Sequence, residues 1–463
     1  MTNDNHTAPN YLLGGMGPVP DEIDAVDLKV DGALPPELDG RYFRNGSNPL
    51  PGDHPGHDFI GQGMIHGVRL SGGKAAWYRN RWVKTPTMRG AHIVNSDGTW
   101  NLTASIANTS VLRYDGAIFA LVETAVPYAI SAELETAGPY DFCGALKTPM
   151  TAHPKRDAAT GELYFFGYSL RPPFVTYHVA SPDGRLLRSE QVGVTGPIMM
   201  HDFAITEHYA LFLDLPVVFD RALAGKRGMP FRWSEEYPPR IGIMPRSGGG
   251  VRWIPVEPRY AFHVANAHED PDGRIVLEGV AYDRDAFESI WERLGGLSAS
   301  SGAGGPHASS HSVLYRWVIE PSGTLVSEGA IDDLGIEFPT IDRGRTGLSN
   351  RYAYAVHQPF GTDRTGSAIV KYDRVTGRRD AYEVGEGWIP GEALFVAAAG
   401  ATSEDEGWLI SIVTHATADA AQLVVNDATH LSAPPVAVVH LPRRVPEGFH
   451  GEWIPETSPA GVI

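Results

Sequence analysis

Turn signals recur along almost the whole chain, and they leave room only for short structural elements between them. The 463 residues include 52 Gly and 36 Pro, and runs of β-branched and aromatic residues stand between these turns. Residues 174–179, for example, lead into the turn Ser181-Pro-Asp-Gly and then into a second apolar run from residue 185. Such strand–turn–strand units, repeated through most of the length, predict an antiparallel all-β fold.

The pattern of strands does not by itself select one closed architecture. No strict repeat of the tryptophan-aspartate or kelch kind accompanies the strands, so a propeller, a large barrel and a double sandwich fit equally well. About 150 residues per domain would suggest two or three domains, but closed all-β folds exceed that value and no linker divides the chain. We expect residues 1–20 to form an extended or disordered arm and residues 21–463 to form a single domain.

One segment has helical periodicity. Asp283 is placed to cap a helix, Phe287, Ile290 and Leu294 fall on one face of it, and Gly295-Gly296 ends it. Residues 297–310, which follow, are rich in Gly, Ser and Ala. That composition is typical of a mobile surface loop.

The charge balance limits the partners. With 38 basic and 55 acidic residues, the net charge of 38 − 55 = −17 argues against binding to nucleic acid or to an anionic membrane surface. A neutral or weakly polar small molecule is favoured instead. Cys143 is the single cysteine, so no intrachain disulfide forms. Neither a signal peptide nor an apolar run of membrane-spanning length is found, so we expect a cytoplasmic protein without stable membrane insertion, for which transient membrane contact stays open.

Four of the 18 histidines occupy distinctive settings, each like the end of a strand on a separate β unit. The settings are Thr-Ala-His153-Pro-Lys, Met-Met-His201-Asp-Phe, Phe-His263-Val-Ala-Asn-Ala and Gly-Phe-His450-Gly-Glu-Trp. Side chains projected inward from several units of a closed sheet can meet on its axis. A lone histidine is more often an ordinary core or surface residue, and no His-x-x-x-His or Cys-x-x-Cys spacing indicates zinc. From the residues alone, a four-imidazole metal site and four unrelated histidines both remain open.

Further motifs, in a fixed order, resemble those of the carotenoid cleavage oxygenase family. They are Arg41-Tyr-Phe-Arg-Asn-Gly-Ser-Asn-Pro, Gly61-Gln-Gly-Met-Ile-His-Gly, Tyr78-Arg-Asn-Arg-Trp-Val-Lys-Thr, Ala107-Asn-Thr-Ser and Leu121-Val-Glu-Thr-Ala-Val-Pro-Tyr. Together with the histidine settings, they extend the resemblance over residues 20–455. The resemblance implies a seven-bladed β-propeller whose top face is covered by a cap of loops and short helices. It also implies a non-haem Fe(II) held on the axis by His153, His201, His263 and His450.

The resemblance further implies three glutamates that orient ligating histidines. A carboxylate that accepts the second ring N–H of a metal-bound imidazole fixes its tautomer and its orientation. The implied pairs are Glu123 with His201, Glu337 with His263 and Glu392 with His450. His153 is left without a glutamate.

A threonine and three aromatic residues complete the implied site. Thr109 matches a family threonine whose methyl group crowds an open coordination position, although it also fits as an ordinary β-branched strand residue. Phe203, Phe262 and Phe449 lie next to ligands in the sequence. They are candidates for the walls of a substrate tunnel or for core packing.

The function implied by the resemblance is that of an Fe(II)- and O2-dependent dioxygenase. It would split a conjugated C=C bond of a hydrophobic substrate into two carbonyl fragments. Val122 stands where members that cleave hydroxystilbenes carry a lysine, which favours a carotenoid or apocarotenoid over a stilbene or an isoeugenol-type alkene. Gln62 departs from the aspartate of the usual Gly-Asp-Gly. A catalytically silent propeller that serves as a binding module is the alternative of another class, and the joint presence of four histidines and three glutamates argues against it.

Overall fold

The structure, a computed structural model, describes residues 14–226, 228–296, 311–359 and 366–456. Within these ranges, seven antiparallel sheets surround a central axis and form a seven-bladed β-propeller. The prediction of an all-β propeller is therefore confirmed. One α-helix and several short 3₁₀ turns complete the described secondary structure.

Blades 2 to 6 each consist of four strands that follow the chain from the axis outward. Blade 2 contains β6 (Ser110–Tyr114), β7 (Ala117–Leu121), β8 (Tyr128–Ile130) and β9 (Thr136–Pro139); blade 3 contains β10 (Lys155–Arg156), β11 (Leu163–Tyr168), β12 (Val175–Ala180) and β13 (Leu186–Val192). Blade 4 contains β14 (Phe203–Ile205), β15 (Tyr209–Asp214), β18 (Arg240–Pro245) and β19 (Arg252–Pro255); blade 5 contains β20 (Tyr260–Glu269), β21 (Ile275–Tyr282), β22 (Val313–Ile319) and β23 (Leu325–Ala330). Blade 6 contains β24 (Glu337–Thr340), β25 (Tyr352–His357), β26 (Ala368–Asp373) and β27 (Arg378–Glu383).

Blades 1 and 7 combine strands from both ends of the chain. Blade 1 has the order β1 (Asp24–Val26), β5 (Lys74–Trp82), β4 (Gly63–Ser71), β3 (Gly40–Ser47) and β33 (Gly451–Pro455). Blade 7 has the order β2 (Val30–Gly32), β32 (Ala437–His440), β31 (Ala421–Asp427), β30 (Gly407–His415) and β28 (Trp388–Pro390), and β29 (Leu394–Ala397) also pairs with β30. In register, Arg41 faces Ile454 and Val30 faces Val439. These two cross-pairings close the ring and cover the strand edges that an open seam would expose.

Burial explains why the middle strands of a blade are largely apolar while the outermost strand alternates. All six residues of β11, the second strand of blade 3, are buried, whereas β13 at the rim alternates between half-buried and exposed positions up to its buried last residue. A middle strand packs between two neighbouring blades and therefore has no solvent face. The outer strand keeps one face in water, so the hairpin predicted from residue 174 onward forms with the polarity that its sequence indicates.

The cap is built from insertions above the blades. The helix α1 (Arg284–Arg293) follows β21, and the Asp283 side chain accepts the N–H of Ala286 at 2.9 Å, which confirms the predicted cap. The hairpin of β16 (Val217–Phe219) and β17 (Phe231–Trp233) is inserted in blade 4. It meets the helix where the rings of Trp233 and Phe287 lie 5.9 Å apart. The loop predicted at residues 297–310 lies outside the described residues.

Part of the predicted N-terminal arm is described. Residues 1–13 lie outside the described ranges. Gly15 donates its N–H to Ala416 O at 2.7 Å, and the N–H of the buried Val19 reaches Asn48 Oδ1 at 2.8 Å. None of the helices among the described residues combines the length and hydrophobicity needed to cross a bilayer.

Candidate metal centre

Each of the seven blades brings one candidate side chain to the axis from the beginning of its innermost strand. Six of these residues lie within two positions of the first residue of the inner strand, and His263 is the fourth residue of β20. In blade order from 1 to 7 they are His450, Thr109, His153, His201, His263, Glu337 and Glu392. Residues far apart in sequence meet there because the ring places equivalent strand ends around one axis.

The four histidines form a compact cluster. Their ligand atoms all lie within 4.8 Å of one another, and the described residues contain no other grouping of this kind. The Nε2 atoms of His153 and His201 are 3.0 Å apart, and the rings of His263 and His450 are 4.7 Å apart between centroids. The structure thus brings together the histidines that the sequence singled out.

Three of the four rings are held by glutamates, two of them buried and one half-buried, at the nitrogen that faces away from the cluster. Each ring nitrogen Nδ1 lies within hydrogen-bonding distance of a carboxylate oxygen. The distances are 2.6 Å from His201 to Glu123, 2.6 Å from His263 to Glu337 and 2.9 Å from His450 to Glu392. No carboxylate oxygen of the described chain lies within hydrogen-bonding distance of His153. This arrangement leaves the Nε2 lone pairs of the three paired rings directed at the centre.

Two tyrosines and a phenylalanine that sequence reasoning did not identify support these glutamates. The hydroxyl of Tyr168 donates to Glu123 Oε1 at 2.8 Å, and that of Tyr282 donates to Glu337 Oε1 at 2.6 Å. Phe338 has a φ of +52°, which bulky residues seldom adopt, and its ring stacks 5.3 Å from that of His263. Because Tyr168 and Glu123 are 45 positions apart, no local pattern indicates their contact.

The electrostatics of the cluster favour the neutral ring at His153 and His450, whereas at His263 the charge of Glu337 outweighs burial and raises the pKa of the imidazole. Burial, reinforced by the other three imidazoles, holds the pKa of His153 well below its ordinary value. Burial also lowers the pKa of His450, although Glu392 opposes that shift. For Glu337, burial opposes ionisation, but the facing His263 and Tyr282 outweigh it and lower the pKa of the carboxyl. The carboxylate therefore stays charged and holds the proton of His263 on Nδ1.

The residues present fit a metal ion. His263 Nε2 is buried and has no hydrogen-bond partner among the described residues, which is costly unless a ligand binds there. Two imidazole nitrogens on one metal, at bond lengths of about 2.0–2.1 Å and at right angles, stand about 2.9 Å apart. The 3.0 Å between His153 Nε2 and His201 Nε2 agrees with that value. Four neutral nitrogen donors without a carboxylate ligand suit a redox-active transition metal.

Two cavities of different lining reach the cluster. The first has a volume of about 490 Å³, touches His201, His263 and His450, and is lined mainly by apolar side chains, including Phe262 and Phe449. The second, of about 560 Å³, follows the axis through the blades and touches His153, His263 and His450. Its walls carry charged side chains, among them the ion pair of Lys155 with Asp202 at 2.7 Å. The apolar cavity suits a hydrophobic substrate, and the axial one suits water.

The remaining predicted residues fall into two groups. Thr109 lines the apolar cavity, and its hydroxyl donates to Asn108 Oδ1 at 3.0 Å. Phe203, in contrast, does not line the cavity but is fully buried in the core, 5.4 Å from Phe166 between ring centroids. The prediction of a tunnel wall is thus supported for two of the three phenylalanines, and Phe203 belongs to the core.

Comparison with known proteins agrees with this arrangement. The family model described as retinal pigment epithelial membrane protein matches residues 16–455. A carotenoid cleavage oxygenase of Mycobacterium tuberculosis is 37% identical over 504 aligned residues, which cover 96% of this chain and 98% of the relative. The chain belongs to the carotenoid cleavage oxygenase family.

Two solved structures superpose on nearly the whole chain. The lignostilbene dioxygenase of Pseudomonas brassicacearum has a TM-score of 0.84 at 26% identity and covers 98% of this chain and 100% of its own. A cobalt-substituted Synechocystis ACO has a TM-score of 0.81 at 26% identity and covers 96% of this chain and 98% of its own.

Two departures from the pattern of the carotenoid cleavage oxygenase family have structural contexts. The Gln62 side chain accepts the hydroxyl of Thr87 at 2.9 Å and so joins the turn before β4 to the 3₁₀ turn Pro86–Arg89. Val122 is 5% exposed and lines the apolar cavity next to Glu123. Gln62 therefore makes a contact between two turns of the fold, whereas Val122 forms part of the cavity wall.

Proposed function

We propose that this protein is a non-haem iron dioxygenase that uses O2 to cleave one conjugated C=C bond of a carotenoid or apocarotenoid. One oxygen atom enters each of two carbonyl products, so the C=C bond is replaced by two C=O bonds. No organic cosubstrate is needed for this balance. The observation that carries the proposal is the four-histidine cluster, oriented by three glutamates, at the inner end of an apolar cavity.

The proposed ligands are the four histidines, and the three glutamates position three of them. Iron bound there would supply the redox chemistry that brings O2 and the alkene to reaction. Glu123, Glu337 and Glu392 keep each paired imidazole in one tautomer, with its Nε2 lone pair toward the centre. Thr109 keeps its hydroxyl on Asn108, and we propose that its methyl group limits the space beside the centre.

The size and lining of the apolar cavity support an extended hydrophobic substrate. The phenylalanines at positions 59, 262 and 449 approach one another edge to face, with centroid distances of 6.0 Å from Phe59 to Phe262 and 5.4 Å from Phe59 to Phe449. Aromatic side chains bury a large area at low entropic cost, and they keep water from the reacting bond. Holding one double bond in place beside the centre is the main contribution that such walls make to the rate.

Labelled oxygen tests this proposal. Protein reconstituted with Fe(II) without oxygen is mixed with a panel of carotenes, apocarotenals, stilbenes and isoeugenol-type alkenes under ¹⁸O2, and the aldehydes are identified by mass spectrometry. We expect a carotenoid or apocarotenoid to give two fragments that each carry one ¹⁸O. A protein that retains about one iron per chain but cleaves none of the panel would exclude the proposal and support the binding module.

Cleavage of an aromatic alkene is the second candidate, because the lignostilbene dioxygenase superposes with a TM-score of 0.84. Val122 argues against this candidate, because an apolar side chain beside Glu123 in the cavity wall cannot bind a phenolic oxygen as a lysine would. Exclusive cleavage of stilbenes or isoeugenol-type alkenes in the same panel would establish this alternative.

A further inference from the structure

The apolar cavity has one charged wall. Apart from the histidines and glutamates of the proposed centre, its charged lining residues within the described chain are Asp58, Arg293 and Glu447. The N–H of Asp58 donates to Leu294 O at 2.8 Å, and Arg293 Nη2 lies 3.4 Å from Glu447 Oε2. The 3₁₀ turn Asp58–Ile60, the end of α1 and the segment before His450 thus converge on one patch.

The patch is electrically balanced and able to donate hydrogen bonds. Asp58 is 5% exposed, and burial, reinforced by the charge of Glu447 and opposed by Arg293, raises the pKa of Asp58 to about 8. At neutral pH its carboxyl group is therefore protonated and both donates and accepts hydrogen bonds. Arg293 and Glu447 compensate each other, so the wall favours a neutral polar group over a carboxylate.

A hydrocarbon and an oxygenated chain meet this wall differently. An apolar end placed against it removes water from polar groups and offers no hydrogen bond in exchange, which is unfavourable. A carbonyl or hydroxyl oxygen replaces the lost water. Phe59, next to Asp58, and Phe449, beside His450, continue from the charged wall toward the histidines with their rings 5.4 Å apart.

We propose that Asp58, Arg293 and Glu447 form an end-group subsite that selects substrates with a neutral oxygen, either a carbonyl or a hydroxyl, at one end. The identity of the chain that follows this oxygen rests on the proposed function, whereas recognition of the oxygen does not. Anchoring one end of a rigid conjugated chain also fixes which double bond reaches the metal centre. The subsite therefore sets both substrate preference and the position of cleavage.

Matched variants separate this role from a structural one. Asp58→Asn keeps one hydrogen-bond donor and one acceptor group, Asp58→Leu removes both while keeping the branched shape, and Ile290→Val alters an apolar residue of the same cavity. Each iron-loaded variant is given an apocarotenal, a ring-hydroxylated carotenoid and a hydrocarbon carotene of similar conjugated length. The readouts are kcat/KM, product masses and, without oxygen, the affinity obtained from the absorbance shift of the bound polyene. Thermal unfolding verifies that each variant is folded.

We expect Asp58→Leu to lower kcat/KM for the two oxygenated substrates by about 10- to 100-fold, because the substrate oxygen is then buried without a hydrogen-bond partner. For the hydrocarbon it should instead raise kcat/KM, because an apolar end no longer displaces water from a polar side chain. It should also yield products cut at more than one bond. Asp58→Asn should retain most of the preference, and Ile290→Val should change all substrates by the same factor.

Equal losses of Asp58→Leu on oxygenated and hydrocarbon substrates would overturn the subsite, as would a wild-type protein without preference for oxygen. If wild-type protein cleaves no substrate but binds the oxygenated ones preferentially, and Asp58→Leu abolishes that preference, then the subsite stands and the proposed dioxygenase function fails.

Discussion

The contact between Glu337 and His263 gives a quantitative prediction for metal binding. Glu337 Oε2 lies 2.6 Å from His263 Nδ1 and 2.6 Å from the N–H of Phe338, and Oε1 accepts the hydroxyl of Tyr282. Glu337→Gln keeps the shape but replaces a hydrogen bond to a charged group, worth about 1.5–3 kcal/mol, by a neutral one worth about 0.5–1.5 kcal/mol. A difference of about 1–1.5 kcal/mol corresponds to roughly 5- to 12-fold weaker metal binding.

Removing the carboxylate altogether should cost more. We expect Glu337→Ala to weaken metal affinity by roughly 10- to 100-fold, and His263→Ala to abolish iron retention because a ligand itself is lost. Anaerobic competition for Fe(II) or Co(II) against a chromophoric chelator measures these affinities. We expect the loss of metal affinity to be largest in His263→Ala, smaller in Glu337→Ala and smallest in Glu337→Gln. This order indicates a carboxylate that acts on the metal through the imidazole.

A buried carboxylate elsewhere in the fold supplies the matched control. Glu278 of β21 is 2% exposed and pairs with Arg316 at 2.6 Å instead of with a histidine. Glu278→Gln should lower the free energy of unfolding of the metal-free protein yet leave metal affinity unchanged, because its partner is not a ligand. Wild-type affinity in both Glu337 variants, or an equal loss in Glu278→Gln, would refute the assignment of Glu337.

Three further outcomes test other parts of the structure. Val122→Lys places an ammonium group in the apolar cavity wall, and we expect kcat/KM for an apocarotenal to fall by roughly tenfold or more while iron content is unchanged. Burial lowers the pKa of His178 from its ordinary 6.5 to about 4. Between pH 6.5 and pH 4 the unfolded chain therefore binds more protons at this residue than the folded chain does. We expect the free energy of unfolding to fall by up to about 3 kcal/mol as the pH drops from 6.5 to 4. Urea unfolding across this pH range measures the slope, and His178→Gln should remove only the part contributed by His178, because other buried histidines such as His57 also have a lowered pKa. Phe203→Ala leaves a void in the core and should lower the free energy of unfolding by about 3–5 kcal/mol. An unchanged urea midpoint would contradict the assignment of Phe203 to the core.

The sequence predicts strands, turns and the one helix well because these depend on neighbouring residues. Asp283 caps α1 as its side chain and position indicate, and the resemblance supplies the blade number that the weak periodicity does not. The candidate site is harder, since its convergence depends on the order of blades around the ring. His153 and His450 meet although 297 positions, 450 − 153, separate them.

Contacts between side chains of different blades leave no local signal. Phe262 and Phe449 directly precede a histidine and reach the cavity, whereas Phe203 follows His201 by two positions and enters the core between blades. Phe203 lies past its histidine, as the first residue of β14, and packs against Phe166 of the neighbouring blade. The hydroxyl of Tyr168 is likewise assigned to Glu123 only by the fold.

Under the proposed function, the four histidines are not equivalent, and the asymmetry matches the two cavities. The three rings that border the apolar cavity are those fixed by glutamates, and the ring without a carboxylate, His153, borders only the polar axial cavity. A substrate positioned to within a bond length needs a rigid wall beside it, and the hydrogen bonds from these three rings to the glutamates make the wall rigid. The ligand on the axial side does not contact the substrate cavity, so packing against the other rings is enough to place it. The centre is therefore most firmly held on the side where the alkene would bind.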